Sequence, residues 1–305
     1  MPQVSILRPG KARTQPRLFN PHKHELSPSR LSHLLNPAAK PEHLSAVQQN
    51  QLRTASFAPG PSLRPYVQRL LIVEYTAGLT SKLLPLDSIV AAFRFKGSCL
   101  INGNPAPNGL VTGLRDQARI LTHSGNCANV IAMFTPTGAA AFLREPVARL
   151  FNATMPFDHQ VRRSQFDLVE EQLAESSDDL DRVQVVERFL LGELRRRDPD
   201  PLVSAAVAGI QKTRGSLRIA ALACRLGFSQ SALERRFRGA IGTTPKKYAA
   251  IVRLRHVVRL RRAGIPLTNI AHTAGYADQA HFIKDFRRFT GEPPESFFQS
   301  QSAFA

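Results

Sequence analysis

Two short stretches near the C-terminus carry side chains suited to reading base edges. In the first, Ser231, Glu234, Arg235 and Arg238 fall on one side of a helix. In the second, Gln279, Ala280, His281, Lys284 and Arg288 do the same. Arginine can pair with guanine, glutamine with adenine, and glutamate can accept from cytosine, so each set has the chemistry of direct readout. Leu233, Phe237 and Ile241 run along the opposite side of the first stretch, and Phe282, Phe286 and Phe289 along that of the second. Their three- and four-residue spacing is that of a buried helical stripe. Individual roles stay open at this level. Roughly half or more of protein–DNA hydrogen bonds go to the backbone, so Arg235 and Arg238 suit phosphates as well as bases. Glu234 can instead pair with Arg238 four residues on, and His281 suits phosphate as much as base.

The elements that must position these side chains come from a degenerate duplication. Ile219–Phe237 reads I-A-A-L-A-C-R-L-G-F-S-Q-S-A-L-E-R-R-F, and Leu267–Phe286 reads L-T-N-I-A-H-T-A-G-Y-A-D-Q-A-H-F-I-K-D-F. Leu222-Ala223 matches Ile270-Ala271, and Gly227-Phe228 matches Gly275-Tyr276. After one inserted residue, Leu233 and Phe237 match Phe282 and Phe286, and Gly242 and Pro245 match Gly291 and Pro294. Each copy reads as helix, tight turn, helix. Ala223 and Ala271 let two helices approach, Gly227 and Gly275 can end a helix in the left-handed conformation, and Ser229 and Asp278 stand where the second helix needs a cap. That is the helix-turn-helix plan, whose second helix enters the major groove.

Between the copies, Pro245–Arg262 reads as one helix with Tyr248, Ile251, Leu254 and Val258 on its apolar face. Such a rod spans roughly 27 Å, near the separation of successive major grooves. Its other face offers Lys246, Lys247, Arg253, Arg255, Arg259, Arg261 and Arg262. With Arg238 and Arg288, the side chains at Lys246, Lys247, Arg253 and Arg255 are the expected phosphate contacts.

Charge agrees with this placement. The 305 residues carry a formal net charge of +18. Residues 200–305 hold seventeen Lys/Arg against six Asp/Glu, whereas residues 51–199 hold seventeen against fifteen. A basic module joined to a near-neutral one fits a nucleic-acid reader carried by a second domain. Two prolines in Asp198-Pro199-Asp200-Pro201 mark the expected boundary.

The fold class expected is α+β: a β-rich sandwich or barrel with helices, then an all-α domain. Residues 1–50 read as a disordered basic extension, residues 51–160 as a β-rich domain, 161–198 as a helical connector, and 199–305 as the DNA-binding domain. Val67–Tyr75, Ile89–Phe95 and Val130–Phe134 read as strands, and Asn102-Gly103 and Asn108-Gly109 as tight turns. Gly138–Arg144, Arg163–Ala174 and Leu180–Arg196 read as helices, the last with a stripe of Leu180, Val183, Val186, Leu190 and Leu194.

The C-terminal hundred residues resemble the DNA-binding domain of the AraC/XylS family of bacterial transcription regulators. The resemblance is carried by I-A-H-T-A-G-Y-A-D-Q-A-H-F-I-K-D-F-R-R-F-T-G-E-P-P-E-S-F at Ile270–Phe297, by G-F-S-Q-S-A-L-E-R-R-F, by G-T-T-P-K-K-Y, and by Arg253-Leu254. It implies seven helices in two helix-turn-helix units. It places base-reading residues at Ser231, Glu234 and Arg235, and at Gln279, Ala280, His281 and Lys284. Arg218 and Pro266 stand where the family often has a Ser or Thr cap, Val257 where it usually has Ala, and Gly239 inside a recognition helix. The middle region is similar, more weakly, to the N-terminal domain of a subset of these regulators, through P-S-L-R-P-Y at Pro61–Tyr66, L-P-L-D at Leu84–Asp87, V-T-G at Val111–Gly113 and F-T-P-T-G at Phe134–Gly138. That implies a sensing or dimerising role.

The resulting expectation is a sequence-specific, double-stranded DNA-binding regulator, activator or repressor, located in the cytoplasm. A small-molecule effector, RNA polymerase and a second copy of the chain are its further expected partners. A constitutive DNA-binding protein without effector, or an enzyme tethered to a DNA reader, are the competing readings. No run of about 18 apolar residues suits a membrane. Cys99, Cys127 and Cys224 form no metal-type pair, His123 is isolated, and no Gly-rich phosphate loop occurs, so no cofactor, metal or catalytic residue is expected.

Overall fold

The computed structural model describes residues 52–161, 163–195 and 199–302. The basic extension expected over residues 1–50 lies outside them. Ten strands alternate with tight connections: β1 Leu52–Phe57, β2 Val67–Tyr75, β3 Leu79–Leu83, β4 Val90–Lys96, β5 Cys99–Ile101, β6 Asn104–Pro105, β7 Gly109–Thr112, β8 Arg119–His123, β9 Cys127–Phe134 and β10 Thr154–Pro156. They form two antiparallel sheets, ordered β1-β2-β9-β4-β7-β10 and β3-β8-β5-β6.

The period-2 alternation of the strands gives the larger sheet two distinct faces. Leu70, Ile72, Ala91, Phe93, Val111, Val130, Ala132 and Phe134 point to one face and are buried there. Helices α1 (Arg163–Glu175) and α2 (Asp179–Glu193) cover it. Phe93 meets Phe166 and Phe189 at ring-centroid distances of 6.3 and 5.7 Å. The smaller sheet covers the other face, where Arg119 reaches Thr112 and His123 stacks on Tyr75.

Two local expectations change. Asn102-Gly103 makes a turn with positive φ at both residues. Asn108-Gly109 does not, because Gly109 begins β7 under the Phe166 ring, which a Cβ there would meet at 1.8 Å. The stripe of α2 also rotates. Leu180 is exposed, while Val185 and Phe189 are buried beside Val183, Val186 and Leu190. Asp178 caps this helix by accepting from the Asp181 N–H.

Seven helices follow among the described residues, the number that the resemblance implied: α3 Pro201–Lys212, α4 Ile219–Arg225, α5 Gln230–Ile241, α6 Pro245–Arg262, α7 Leu267–Thr273, α8 Gln279–Thr290 and α9 Pro294–Ser302. Asp200 caps α3 by accepting from the Leu202 and Val203 N–H groups, with Pro201 preset in the first turn. The apolar cluster does not break at residues 199–201. It continues from the sheet through α1 and α2 to Phe286 and Phe297.

Candidate nucleic-acid interface

Each repeat folds as helix, turn, helix for the reasons its residues supply. Gly227 and Gly275 adopt φ of +75° and +74°, a region open to glycine without a Cβ clash. The Ser229 side chain accepts from the Ala232 N–H at 3.2 Å and Asp278 from the His281 N–H at 2.7 Å, starting α5 and α8. Helices α4 and α7 begin at Arg218 and Pro266 with no side-chain cap. Leu233, Phe237, Ile241, Phe282, Phe286 and Phe289 are all at most 1% exposed, so the opposite faces of α5 and α8 must point outward.

On those faces Ser231, Arg235 and Arg238 are exposed and Glu234 is half-buried, accepting from Gln230 at 3.0 Å. Gln279, Ala280, His281, Lys284 and Arg288 are exposed on α8. The structure adds two residues that the sequence reading passed over. Ile283 is 38% exposed, and with Ala280, Lys284, Arg287 and Arg288 it lines a shallow cleft on the outer side of α8. Arg287 holds the position in the second repeat that Arg238 holds in the first, so the alignment of the repeats already pointed to it.

The expected phosphate contacts divide. Lys246 is exposed. Arg253 is not available: its guanidinium lies 4.2 Å over the Tyr276 ring and donates to the Asp285 carboxylate at 3.2 Å, with its side chain only 16% exposed. Asp285 also accepts from the Tyr276 hydroxyl at 3.2 Å and pairs with Arg288 at 2.8 Å. Burial, then the Asp285 charge, pushes the Tyr276 phenol above its ordinary pKa, so it stays a donor. Arg255 pairs with Asp87 at 3.7 Å, and Lys247 with Asp116 at 3.1 Å. The helix that looked amphipathic is wrapped on nearly every side. Ala249, Ala250, Val252, His256 and Val257 are buried beside the expected Tyr248, Ile251, Leu254 and Val258.

The β-rich region touches the two reading helices at their C-terminal ends. Val147 packs on Gly242, just past α5. The Ala118 N–H donates to the Phe289 carbonyl at 2.7 Å in the last turn of α8, and Lys82 donates to the Thr290 carbonyl and pairs with Glu292. The N-terminal halves, where the expected base readers stand, remain exposed.

His123 is not isolated in space. It stacks on Tyr75 at 3.8 Å, and its Nδ1 lies 3.5 Å from the Cys127 sulfur. Cys99 and Cys127 are buried and Cys224 is exposed. No cluster of three metal-type ligands occurs among the described residues, and no helix there is long and apolar enough to cross a membrane.

A family described as a helix-turn-helix domain matches residues 222–300. A second, described as a domain of unknown function (DUF6597), matches residues 55–156. The HTH-type transcriptional activator RhaS of Escherichia fergusonii is 35% identical over 86 residues, which span 27% of this chain and 30% of that relative. Among solved structures, ToxT from Vibrio cholerae aligns over 81% of this chain and 98% of its own at 10% identity, with a TM-score of 0.43. The AraC-like transcriptional activator CuxR aligns over 80% and 93% at 13% identity, with a TM-score of 0.25. Likeness this loose adds nothing to the fold, which rests on the helices themselves. The two capped helices, α5 and α8, both lie within the stretch that matches the helix-turn-helix domain family.

Proposed function

We propose that the chain is a sequence-specific DNA-binding transcription regulator whose two reading helices, α5 and α8, enter major grooves of double-stranded DNA. The observation that carries this is the matched pair of capped helices, each exposing polar and basic side chains beyond a fully buried apolar stripe. In this reading Ser231, Glu234, Arg235, Gln279, Ala280, His281 and Lys284 meet base edges, with Ile283 and Arg287 beside them. Arg238, Lys246 and Arg288 meet phosphates. Arg253 holds α8 in place, while Lys247 and Arg255 hold the docked domain. The β-rich region over residues 51–160, with α1 and α2 as connector, is the sensing or dimerising half, and residues 199–305 are the reader. RNA polymerase and a second copy of the chain are the partners such a regulator meets in the cytoplasm.

Selection of binding sites by the full chain from a random duplex library tests this. The expected result is enrichment of a defined site and affinity that falls steeply from about 50 to 200 mM salt through counterion release. No enrichment, or a flat salt response, overturns it.

A further inference from the structure

The two reading helices are built to one plan but carry different chemistry at matched positions. Both run twelve residues, start from a side-chain cap and end at a left-handed glycine, Gly242 and Gly291, with φ of +88° and +84°. Leu233 and Phe237 fill the places in α5 that Phe282 and Phe286 fill in α8, and all four are fully buried. With cap, stripe and end in register, the outward residues correspond one to one. Ser231 answers to Ala280, Glu234 to Ile283, and Arg235 to Lys284. The last pair keeps its charge. At the other two, a hydroxyl and a carboxylate in the first reader become a methyl and a branched hydrocarbon in the second.

A carboxylate in a major groove is repelled by phosphates and by base acceptors, so it is tolerated only where a base donates to it. One oxygen of Glu234 accepts from Gln230 at 3.0 Å, and no other partner meets this side chain among the described residues. The remaining oxygen suits the N4 amine of cytosine. The N6 amine of adenine is a poorer match, because the N7 acceptor lies beside it. Arg235, exposed next to Glu234, suits O6 and N7 of guanine. Ile283 has the opposite character. It stands 38% exposed, outside the buried stripe of its own helix. With Ala280 it supplies the apolar part of the shallow cleft that Lys284, Arg287 and Arg288 complete. Neither side chain can donate or accept, and the apolar group that a base edge offers in the major groove is the C5 methyl of thymine.

We propose that the chain recognises a DNA site with two unlike halves, in which Glu234 on α5 selects a cytosine and Ile283 on α8 selects a thymine by its methyl. This rests on the reading of α5 and α8 as groove-entering helices and adds which base each one meets at the matched position. Such a site has a direction. Because the two readers differ, one chain binds it in a single orientation, and the inverted site puts the carboxylate against a thymine O4 acceptor and the isoleucine against an unmethylated cytosine.

The test selects sites from a random duplex library with the full chain as wild type, Glu234→Ile and Ile283→Glu. The wild type should enrich two half-sites about one helical turn apart, with cytosine fixed in one and thymine in the other. Replacing that cytosine by thymine should weaken wild-type binding about tenfold. Glu234→Ile should turn the cytosine preference toward thymine and leave the other half unchanged, and Ile283→Glu should turn the thymine toward cytosine. Two halves fixed on the same base at the matched position overturn the inference, as does either variant keeping the wild-type preference. Both positions face outward, so both variants should melt like wild type. A measurement on the wild type alone decides the matter if either variant melts lower. With 5-methylcytosine in place of the selected thymine, binding should be about fourfold tighter than with plain cytosine, since one buried methyl separates the two. The same methyl on the cytosine of the other half should bring no gain. Equal affinity for cytosine and 5-methylcytosine in the thymine half overturns the role of Ile283. Enrichment of a defined site without this pattern sinks the inference and leaves the regulator reading standing, whereas no enrichment sinks both.

Discussion

Asp285 is the buried carboxylate on which the second reading helix turns, and its removal gives the sharpest test of the interface. It is 8% exposed and holds Arg253 on α6, Tyr276 in the turn and Arg288 one turn on. Breaking a buried charge pair from one side typically costs 3–5 kcal/mol, because the partner is left unpaired. The lost tyrosine hydrogen bond adds about 1 kcal/mol. The Arg288 pair adds little, since that side chain is 56% exposed and water screens it. Residual access of water to Arg253 pulls the sum down, so Asp285→Ala is expected to cost about 3 kcal/mol. For a chain of this size that lowers Tm by roughly 6–12 °C. Arg253→Ala should cost a similar amount, and the double variant clearly less than the two together, leaving a coupling of about 2 kcal/mol. Urea unfolding of the four proteins measures this. The salt dependence of DNA affinity is the second assay. A phosphate contact contributes a slope of about 0.9 in log K against log salt. Arg253→Ala that folds as well as wild type but loses this slope would refute the structural role and restore Arg253 as a phosphate contact.

Three further outcomes follow from the same geometry. Ile283→Ala should weaken binding to a selected site containing thymine opposite α8 by roughly 1 kcal/mol and leave the same site with deoxyuridine unchanged, because the only loss is apolar contact with the thymine methyl; equal losses on both would remove Ile283 from the reading face. Phe286→Ala, emptying a fully buried site, should cost about 3–5 kcal/mol and abolish DNA binding, and a normally folded variant would contradict the repeat. His123 and His256 are both held neutral, each with pKa near 4 through burial first and neighbouring arginines second. The unfolded chain therefore binds more protons between pH 6.5 and 4, and stability should fall as pH drops through that window, by on the order of 3 kcal/mol for His123; pH titration of Tm for His123→Gln should show a flatter fall.

The reading helices could be found in the sequence because their signals are local. A cap, a left-handed glycine and an apolar stripe all lie within about twenty residues, and Ser229, Gly227 and Phe237 each do what their type requires. Strand β2 matched its apolar run for the same reason. What failed depended on distant partners. The basic face of α6 looked free because its acids, Asp87, Asp116 and Asp285, lie elsewhere in the chain. Asn108-Gly109 looked like a turn because nothing nearby announces Phe166. Ile283 was passed over because a lone isoleucine on a helix is ordinarily buried. Comparison with Glu234, its counterpart in the first repeat, would have marked the position as outward.

The corrected basic residues change how the two halves of the chain are joined. Lys247, although half exposed, pairs with Asp116 of the β-rich region, and the largely covered Arg255 pairs with Asp87. These two ion pairs, the Ala118–Phe289 hydrogen bond, the Lys82 contacts and the Val147–Gly242 contact together reach the linking helix and the far end of both readers. Because each reader is gripped at its C-terminal end, docking leaves the base-reading ends exposed while fixing the angle between them. In the proposed binding mode two grooves about 34 Å apart are met at once, so a small change in that angle would alter affinity without moving any of the proposed base readers. The acids that hold Lys247 and Arg255 also compete with phosphate for the same cations. An effector in the β-rich region that loosens these contacts would release Lys247 from Asp116 and relax the angle together, and it can shift the balance only by binding the docked and loosened states differently.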